Sequence, residues 1–261
     1  MHYFSLAVPF WVLVGIATAS KSYKATEQCP VADVSALVNT GDPVGKTEVF
    51  ENVTMYYTGN ENSTATGTAV LFLTDIYGLT SPENKRLADA FGRAGYFTVA
   101  PDLFDGAPSP LHMNAPGFNQ TRFLEAHGPD VADPLVAKGV RYLRDVCGAR
   151  RVAVAGYCYG GGLVDAAFAA HPSGWTDEEI GAIARPASVA QGQNDELNPA
   201  AKRRRMEDLL ASNATGPWQV DLYGGAMHGF GVRANVSDPQ QRFAMETAFI
   251  QAVRWFEFWA K

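Results

Sequence analysis

The amino-acid sequence predicts an α/β fold, in which helices cover both faces of one mostly parallel central sheet. Short apolar runs alternate along most of the chain with segments of helical length, as expected when parallel strands are joined by helices. Runs such as residues 69–74 are apolar at almost every position, which is typical of strands buried on both faces. The chain has 261 residues, of which 47% are hydrophobic, and this suits a single domain with a sizeable core.

The individual elements are delimited by Gly, Pro and capping residues. Strands are predicted at residues 48–57, 69–74, 97–100, 151–155, 187–190 and 218–223. Helices are predicted at residues 81–94, 134–147, 161–170 and 239–259. In the first helix, Ser81 is a suitable N-cap, Pro82 fits the first helical position and Gly95 follows the end. Residues 105–130 are rich in Gly, Pro and Asn and predict a long irregular excursion.

The N-terminus predicts a secretory signal peptide at residues 1–19, followed by one domain at residues 20–261. Residues 4–16 form an apolar stretch that is short for a membrane span, and residues 17–19 fit the small-x-small cleavage pattern. No Lys or Arg precedes this stretch, whereas two lysines follow it closely, which favours the opposite orientation. Despite this charge bias, the short apolar stretch and the cleavage pattern lead us to expect a cleaved signal. An N-terminal anchor retained in the lumen is the alternative.

Potential glycan acceptors point to the same compartment. The chain contains five N-x-[ST] sequences, whereas roughly one or two are expected by chance. Their acceptors are Asn52, Asn62, Asn119, Asn213 and Asn235. This excess predicts a glycoprotein that is secreted or resides in the lumen of the secretory pathway, with the five acceptors on its surface.

Charge and composition narrow the classes of partner. The net charge is −6, which argues against nucleic acid and against an anionic membrane surface. No cluster of His, Asp or Glu has the spacing of metal ligands, so neither a metal nor an organic cofactor is expected. A small molecule is the expected partner, and no stable membrane span is expected.

A candidate nucleophile lies in the segment Gly-Tyr-Cys-Tyr-Gly-Gly, with Cys158 at the third position. The segment follows a predicted buried strand and precedes a predicted helix, which is the context of a nucleophile elbow with Cys in place of Ser. Gly156 and Gly160 avoid the clashes that side chains would cause at such a sharp, strained turn. We expect the N-terminus of the helix at residues 161–170 to stabilise the Cys158 thiolate.

A nucleophile needs a base, and the base needs an orienting acid; both candidates follow late strands. Asp195 lies just past the strand at residues 187–190, and His228 lies just past the strand at residues 218–223. The order nucleophile, acid, histidine is that of the α/β-hydrolase triad, and such sheets carry their sites at the carboxyl ends of the strands. His171, at the end of a predicted helix, is interpreted as a C-terminal cap.

With these residues the chain resembles the dienelactone hydrolase family, particularly its fungal branch, over roughly residues 40–260. The specific matches are the Cys158 elbow and the stretch His228-Gly229-Phe230. The weaker matches are residues 75–79, residues 99–103, and Gly192 with Asp195. The resemblance implies the α/β-hydrolase fold, the triad Cys158, Asp195 and His228, and cleavage of an ester or lactone without a cofactor.

The resemblance also implies an oxyanion hole formed by the backbone N–H groups of Ile76 and Tyr159. Family members carry a Glu just before the first of these donors, which holds the resting thiol; this chain has Asp75 there, an expected auxiliary residue. Bacterial members bind a substrate carboxylate with two Arg residues. This chain lacks the first Arg and has Val232 at the position of the second, next to Arg233. The resemblance therefore does not extend to a carboxylated dienelactone as the substrate.

These observations predict a cysteine hydrolase. We expect Cys158 to attack an ester or lactone carbonyl and form a thioester, with His228 as acid and base. One alternative is a hydrolase or cyclase of fungal secondary metabolism, which opens an epoxide or closes a ring in the same pocket through Asp75, Asp195 and His228. A second alternative is a secreted binding module without catalysis.

The other two cysteines leave one structural question open. An odd cysteine count in a secreted chain leaves one thiol over, which agrees with a separate role for Cys158. Cys29 and Cys147 can pair as a disulfide. Cys147 also lies on an apolar stripe at helical spacing, as a buried core thiol would.

Overall fold

The computed structural model describes residues 33–61, 67–111, 115–158 and 165–260, so the predicted signal peptide lies outside the described residues. The strands are β1 (Lys46–Phe50), β2 (Val53–Thr58), β3 (Thr68–Leu73), β4 (Phe97–Pro101), β5 (Arg151–Tyr157), β6 (Ala166–Ala170), β7 (Ala187–Asn194) and β8 (Trp218–Met227). The helices are α1 (Pro82–Arg93), α2 (Gln120–Ala126), α3 (Pro129–Arg141), α4 (Asp177–Gly181), α5 (Ala200–Asn213), α6 (Phe230–Arg233) and α7 (Pro239–Trp259). Within these ranges, no helix has both the length and the apolarity needed to cross a membrane.

The eight strands of the described residues form one sheet in the order β1-β2-β4-β3-β5-β6-β7-β8. β2 is antiparallel to both of its neighbours, β1 and β4, and all other neighbouring strands are parallel. Because the parallel strands point the same way, their carboxyl ends meet at one edge of the sheet. The mostly parallel α/β architecture predicted from the sequence is confirmed.

Helices cover both faces of the sheet, as predicted. On one face, the ring of Phe91 in α1 lies 5.2 Å from Phe249 in α7 and 6.2 Å from Phe72 in β3, measured between centroids. On the other face, Leu71 of β3 packs in a second cluster with Leu143, which follows α3. All five side chains are buried, and burying each such side chain stabilises the fold by about 1.5–3 kcal/mol. The core on both faces therefore fixes the positions of the central strands.

α1 begins and ends where the sequence predicts. The Ser81 hydroxyl accepts a hydrogen bond from the Asn84 N–H, and Pro82 occupies the first turn. Past the end of the helix, Gly95 has a φ of +98°, in the left-handed region that favours glycine. Because α1 begins here, the Asn84 side chain reaches the loop that follows β3 and donates a hydrogen bond to Asp75.

The predicted strand at residues 48–57 is instead a hairpin of β1 and β2. Glu51 and Asn52 form its two-residue turn, with φ values of +48° and +63°. A tight hairpin turn of this kind needs positive φ at both central residues. Asn adopts this conformation readily and Glu rarely does, which is why composition alone did not predict the turn.

The predicted irregular excursion at residues 105–130 contains a helix and the start of another. α2 begins after Asn119, whose side chain accepts a backbone hydrogen bond as the N-cap. α3 begins at Pro129, five residues before the predicted start at Pro134, which lies inside the helix. Either proline suits a first turn, so the sequence did not separate the two starts. The last part of the predicted helix is a π-helical turn, Tyr142–Val146.

The predicted helix at residues 161–170 is wrong where the structure describes it. Residues Ala166–Ala170 form β6, which pairs in parallel with β5 and β7. The sequence Ala-Ala-Phe-Ala-Ala is apolar throughout, so no periodicity distinguishes a buried strand from a buried helix. Residues 159–164 lie outside the described residues, so the expectation that a helix N-terminus stabilises the Cys158 thiolate stays a prediction.

Candidate active site

The candidate nucleophile, acid and base lie at the same edge of the sheet. Cys158 directly follows β5, Asp195 directly follows β7 and His228 directly follows β8. β7 and β8 are neighbours, and β6 separates them from β5. The parallel arrangement thus brings together three residues that are far apart along the chain, at the edge where sheets of this kind bind their ligands.

Cys158 has the strained backbone of an elbow. Its φ is +67°, in the left-handed region that residues other than Gly rarely adopt. The Cys158 N–H donates to the carbonyl of Ala170 at 3.2 Å, and the Cys158 carbonyl accepts from the Ser173 N–H at 3.2 Å. These bonds to the end of β6 hold the turn that directs the half-buried side chain into a cavity.

Asp195 is held as a buried carboxylate. Its Oδ1 accepts hydrogen bonds from the backbone N–H groups of Leu197 at 2.9 Å and Asn198 at 3.3 Å. Its Oδ2 accepts one from Nδ1 of His228 at 3.0 Å. Burial alone would raise the pKa of this carboxyl, but the hydrogen bond and charge of His228 outweigh burial and lower the pKa. The ionised carboxylate fixes both the tautomer and the orientation of the imidazole.

His228 links this acid to the thiol. Because Nδ1 donates to Asp195, Nε2 is the ring nitrogen left to interact with the Cys158 side chain, which lines the same cavity. Burial lowers the pKa of the imidazole, but the hydrogen bonds and negative charges of Asp195 and Cys158 outweigh it and raise the pKa to about 9. The next residue, Gly229, has a φ of +83°, and a Cβ there would lie 2.8 Å from the Arg233 guanidinium. The left-handed φ is what favours glycine after the histidine, since the flexible end of Arg233 can shift.

The loop that carries Asp195 is tied to α5 by Arg203. One guanidinium nitrogen of Arg203 donates to the carbonyls of Asn198 at 2.6 Å, Gln193 at 3.3 Å and Gly192 at 3.4 Å. Sequence analysis did not identify this arginine, which lies in a run of four basic residues, 202–205. The three carbonyls show that it stabilises the loop on both sides of Asp195.

The interpretation of His171 as a helix cap is wrong. His171 follows β6 and is completely buried, and its ring centroid lies 5.0 Å from that of His228 at an interplanar angle of 71°. Neither ring nitrogen has a hydrogen-bond partner among the described residues. Burial, followed by the charge of His228, lowers the pKa of His171 to about 3. A neutral histidine therefore packs edge-on against the catalytic candidate. A polar residue directly after a strand would have indicated a site position for His171. The prediction of a helix at residues 161–170 concealed that pattern.

Ser173 contacts the thiol, whereas Asp75 faces other partners. The Ser173 Oγ lies 3.1 Å from the Cys158 Sγ. The buried Asp75 carboxylate accepts a hydrogen bond from the Asn84 side chain at 2.9 Å and forms an ion pair with Arg233. Within the described residues, no hydrogen bond joins Asp75 to Cys158. The auxiliary function of Asp75 stays a prediction, and Ser173 is a thiol contact that sequence analysis missed.

Arg233 reaches the site although it is one position away from the family's second arginine. Its guanidinium lies 4.3 Å from the centroid of the Tyr77 ring and lines the same cavity as Cys158. Burial lowers its pKa to about 10, so the side chain remains charged at neutral pH. Val232, which occupies the family position, is buried in the core.

The two predicted oxyanion donors differ in how far the structure describes them. Ile76 lines the cavity, and its carbonyl accepts a hydrogen bond from the Ser109 N–H at 2.8 Å. The Ile76 N–H has no acceptor among the described residues, as a donor reserved for a substrate oxygen requires. Tyr159 lies outside the described residues, so its function stays a prediction.

The site opens into a cavity of about 620 Å³. Most of its walls are apolar or aromatic, including Phe104, Phe123 and Trp175, and charged groups such as Lys202 and Glu179 lie among them. This volume and lining suit a small organic molecule. In the part of the chain that the structure describes, no group of three or more His, Cys, Asp or Glu residues could hold a metal ion.

Comparisons with known proteins identify the family. The sequence profile of the dienelactone hydrolase family matches residues 54–259. Hydrolase pyvD of Aspergillus violaceofuscus is 34% identical over 237 residues, which cover 87% of this chain and 96% of that protein. Hydrolase tropI of Talaromyces stipitatus is 33% identical over 241 residues, which cover 85% of this chain and 93% of that protein.

Solved structures agree on the fold. The crystal structure of a putative dienelactone hydrolase from Klebsiella pneumoniae is similar with a TM-score of 0.64, covering 82% of this chain and 98% of that chain. At 18% identity this likeness concerns the fold alone. The family profile, in contrast, matches most of the chain, and the two fungal relatives match nearly all of it. The resemblance seen in the sequence is confirmed: this chain belongs to the dienelactone hydrolase family and is a hydrolase that acts on ester or lactone bonds.

Proposed function

We propose that this hydrolase cleaves its ester or lactone through a thioester on Cys158. His228 accepts the thiol proton, and the sulfur attacks the carbonyl carbon of the substrate. The resulting oxyanion accepts hydrogen bonds from the N–H groups of Ile76 and Tyr159. When this adduct collapses, the C–O bond breaks and the imidazolium gives its proton to the leaving oxygen.

Hydrolysis of the thioester completes the cycle. His228 takes a proton from water, and the water oxygen attacks the thioester carbonyl. The C–S bond breaks, the acid product leaves, and the sulfur recovers its proton from the imidazolium. Asp195 stays ionised throughout and stabilises the imidazolium each time it forms.

The observation that carries this proposal is the juxtaposition of the three side chains: Asp195 accepts a hydrogen bond from Nδ1 of His228 at 3.0 Å, and the His228 imidazole interacts with the Cys158 side chain. These side chains lie at the mouth of a cavity large enough for a small molecule. The strained φ of +67° at Cys158 supports the same interpretation, because such strain is concentrated at functional sites.

A second candidate function keeps the cavity but changes the chemistry to the opening of an epoxide or the closure of a ring. It is favoured by the buried pair of Asp75 and Arg233, which lines the same cavity. A carboxylate and a guanidinium can activate water and polarise an oxygen without using the thiol. In this case Cys158 would be secondary.

Comparison of Cys158→Ala with His228→Ala separates the two functions on a panel of lactones, esters and epoxides. The thioester route predicts that both variants lose about 10³-fold or more in kcat/KM. Full turnover in Cys158→Ala, with loss in His228→Ala, would contradict the thioester route and support ring chemistry. Cys147→Ala is the matched control, because this cysteine packs in the core away from the cavity.

No turnover on the whole panel, together with no reaction of Cys158 with thiol-directed probes, would instead favour a binding module without catalysis. Fold alone does not decide this point. The test is alkylation of the native protein by iodoacetamide, followed by mass spectrometry of the Cys158 peptide.

We also propose that the protein passes through the secretory pathway. The support is the N-terminal sequence pattern and the exposure of four of the five acceptors, Asn52, Asn119, Asn213 and Asn235; Asn62 lies outside the described residues. Expression in a secreting eukaryotic host should give a glycosylated chain that begins near residue 20. An unprocessed chain whose mass does not change with endoglycosidase would contradict this proposal.

A further inference from the structure

One wall of the cavity carries three packed rings. The centroids of Phe104 and Phe123 lie 5.6 Å apart with their planes inclined by 28°, and those of Phe123 and His127 lie 4.4 Å apart with their planes inclined by 38°. All three residues line the cavity that also contains Cys158 and His228. Phe104 and His127 meet edge to face, with their planes inclined by 66°. A wall of aromatic rings is a surface on which another flat ring packs favourably.

His127 adds two polar ring nitrogens to this wall. Its Nδ1 lies 2.8 Å from the carbonyl oxygen of Phe123. A carbonyl can only accept, so Nδ1 carries the proton, and in the tautomer with a single proton on Nδ1 the other nitrogen, Nε2, is an acceptor. No described residue forms a hydrogen bond with Nε2. An acceptor in an aromatic wall selects a ligand that combines a ring with an O–H group.

Core packing accounts for only part of this arrangement, because Phe104 is buried and Phe123 packs against the same core cluster. α2, which carries Phe123, contains no fully buried residue, and both Phe123 and His127 remain partly exposed at the cavity. Aromatic side chains that stay open to a cavity are typical of ligand sites, where a few polar groups fix the orientation of an apolar ligand.

We propose that Phe104, Phe123 and His127 form a subsite for a hydroxylated aromatic ring of the substrate. The ring stacks on Phe123, its hydroxyl donates to Nε2 of His127, and the ester or lactone carbonyl lies at Cys158. This inference rests on the proposed function and names its substrate class as phenolic esters or lactones.

The test uses three matched methyl esters, of 3-(4-hydroxyphenyl)propanoic, 3-phenylpropanoic and 3-cyclohexylpropanoic acid. In the wild type, kcat/KM should fall in that order. His127→Phe keeps a ring but removes the acceptor, so the ratio of hydroxyphenyl to phenyl ester should fall about tenfold. Phe123→Leu keeps an apolar side chain but removes the stacking face, so the ratio of phenyl to cyclohexyl ester should fall about fivefold.

Phe243→Leu is the matched control, because Phe243 is exposed on α7 and does not line this cavity. Both ratios should be the same in this control as in the wild type. Melting temperatures show whether each variant folds. Unchanged ratios in His127→Phe and Phe123→Leu, with lowered melting temperatures, would mean that the rings only secure α2 and would overturn the proposal.

A binding measurement separates failure of the subsite from failure of the thioester route. Calorimetry on Cys158→Ala compares 3-(4-hydroxyphenyl)propanamide with 3-phenylpropanamide. Binding of the hydroxylated amide about tenfold more tightly, lost when His127→Phe is added, supports the subsite whatever the chemistry at Cys158. Equal dissociation constants for the two amides overturn the subsite even where the thioester route holds.

Discussion

The two halves of the active site differ in how firmly the fold holds them. In the acid–base half, backbone N–H groups bind Asp195, Arg203 ties down its loop, and His171 packs against His228. In the nucleophile half, Cys158 depends on backbone bonds to the end of β6 and on Ser173.

This difference teaches that the acid–base half is organised before substrate binds, whereas few contacts of Cys158 lie among the described residues. Buried hydrogen bonds to a carboxylate need no rearrangement during the reaction and are therefore effective in catalysis. Changes in the first half should therefore cost more activity than changes around the thiol other than loss of the sulfur itself.

The largest effect is expected from Asp195→Asn. An amide cannot stabilise the imidazolium and favours the wrong tautomer of His228, so kcat/KM should fall by about 10³–10⁴-fold. Asp221→Asn, on β8 and away from the cavity, is the matched control. A loss of less than tenfold in Asp195→Asn, measured on the best ester, would contradict an essential acid–base half.

The next effect concerns stability in acid. The pKa of His171 is about 3 in the folded protein and about 6.5 when unfolded, so between these values only the unfolded chain binds the proton. The neutral His171 makes its full contribution to the free energy of unfolding above about pH 6.5. This free energy decreases as the pH falls and is about 3 kcal/mol lower at pH 4. Urea unfolding at pH 7 and pH 4 should therefore differ less in His171→Phe than in the wild type. Equal pH dependence in both proteins would show that His171 does not cause the loss.

A smaller effect is expected from Arg203→Met. Loss of the guanidinium loosens the loop around Asp195, and kcat should fall about tenfold while KM stays within twofold. Arg203→Lys should restore part of kcat because it keeps a donor. Arg204→Met, on the exposed side of the same helix, tests whether loss of charge alone is responsible. An effect on KM alone would argue that Arg203 does not position the acid.

The smallest effect is expected from Ser173→Ala. The hydroxyl lies 3.1 Å from the Cys158 sulfur, and one hydrogen bond of this kind is worth about 0.5–1.5 kcal/mol. Both kcat/KM and the rate of alkylation by iodoacetamide at pH 7 should fall about threefold to fivefold. Ser35→Ala, at an exposed position, is the control. A faster alkylation in Ser173→Ala would mean that the serine shields the thiol instead of activating it.

The comparison of the two halves also explains what the sequence could predict. The predicted strands at residues 187–190 and 218–223 are followed by segments that contain glycine, so position and order pointed to Asp195 and His228 as candidates. β6 consists only of Ala and Phe, and its state is decided by pairing with β5 and β7. Misassigning β6 as a helix hid His171 and Ser173, both of which lie just past its end.

Contacts between distant segments were beyond the reach of sequence patterns. The ion pair of Asp75 with Arg233 joins the loop after β3 to α6, and nothing in the spacing of the two residues indicates it. The packing of Phe104 on Phe123 likewise joins the loop after β4 to α2. α2 lies in the segment 105–130, whose composition predicted only irregular structure. Such pairs follow from the packed fold and not from local propensity.

The most direct test of the account is the mass of the Cys158 peptide during turnover. The enzyme is mixed with an ester or lactone that it cleaves, quenched in acid after one turnover time, digested and analysed by mass spectrometry. The account predicts that the acyl group of the substrate is attached to Cys158 as a thioester. Product formation at full rate with the acyl group on another residue, or with an unmodified Cys158 at every quench time, would contradict it.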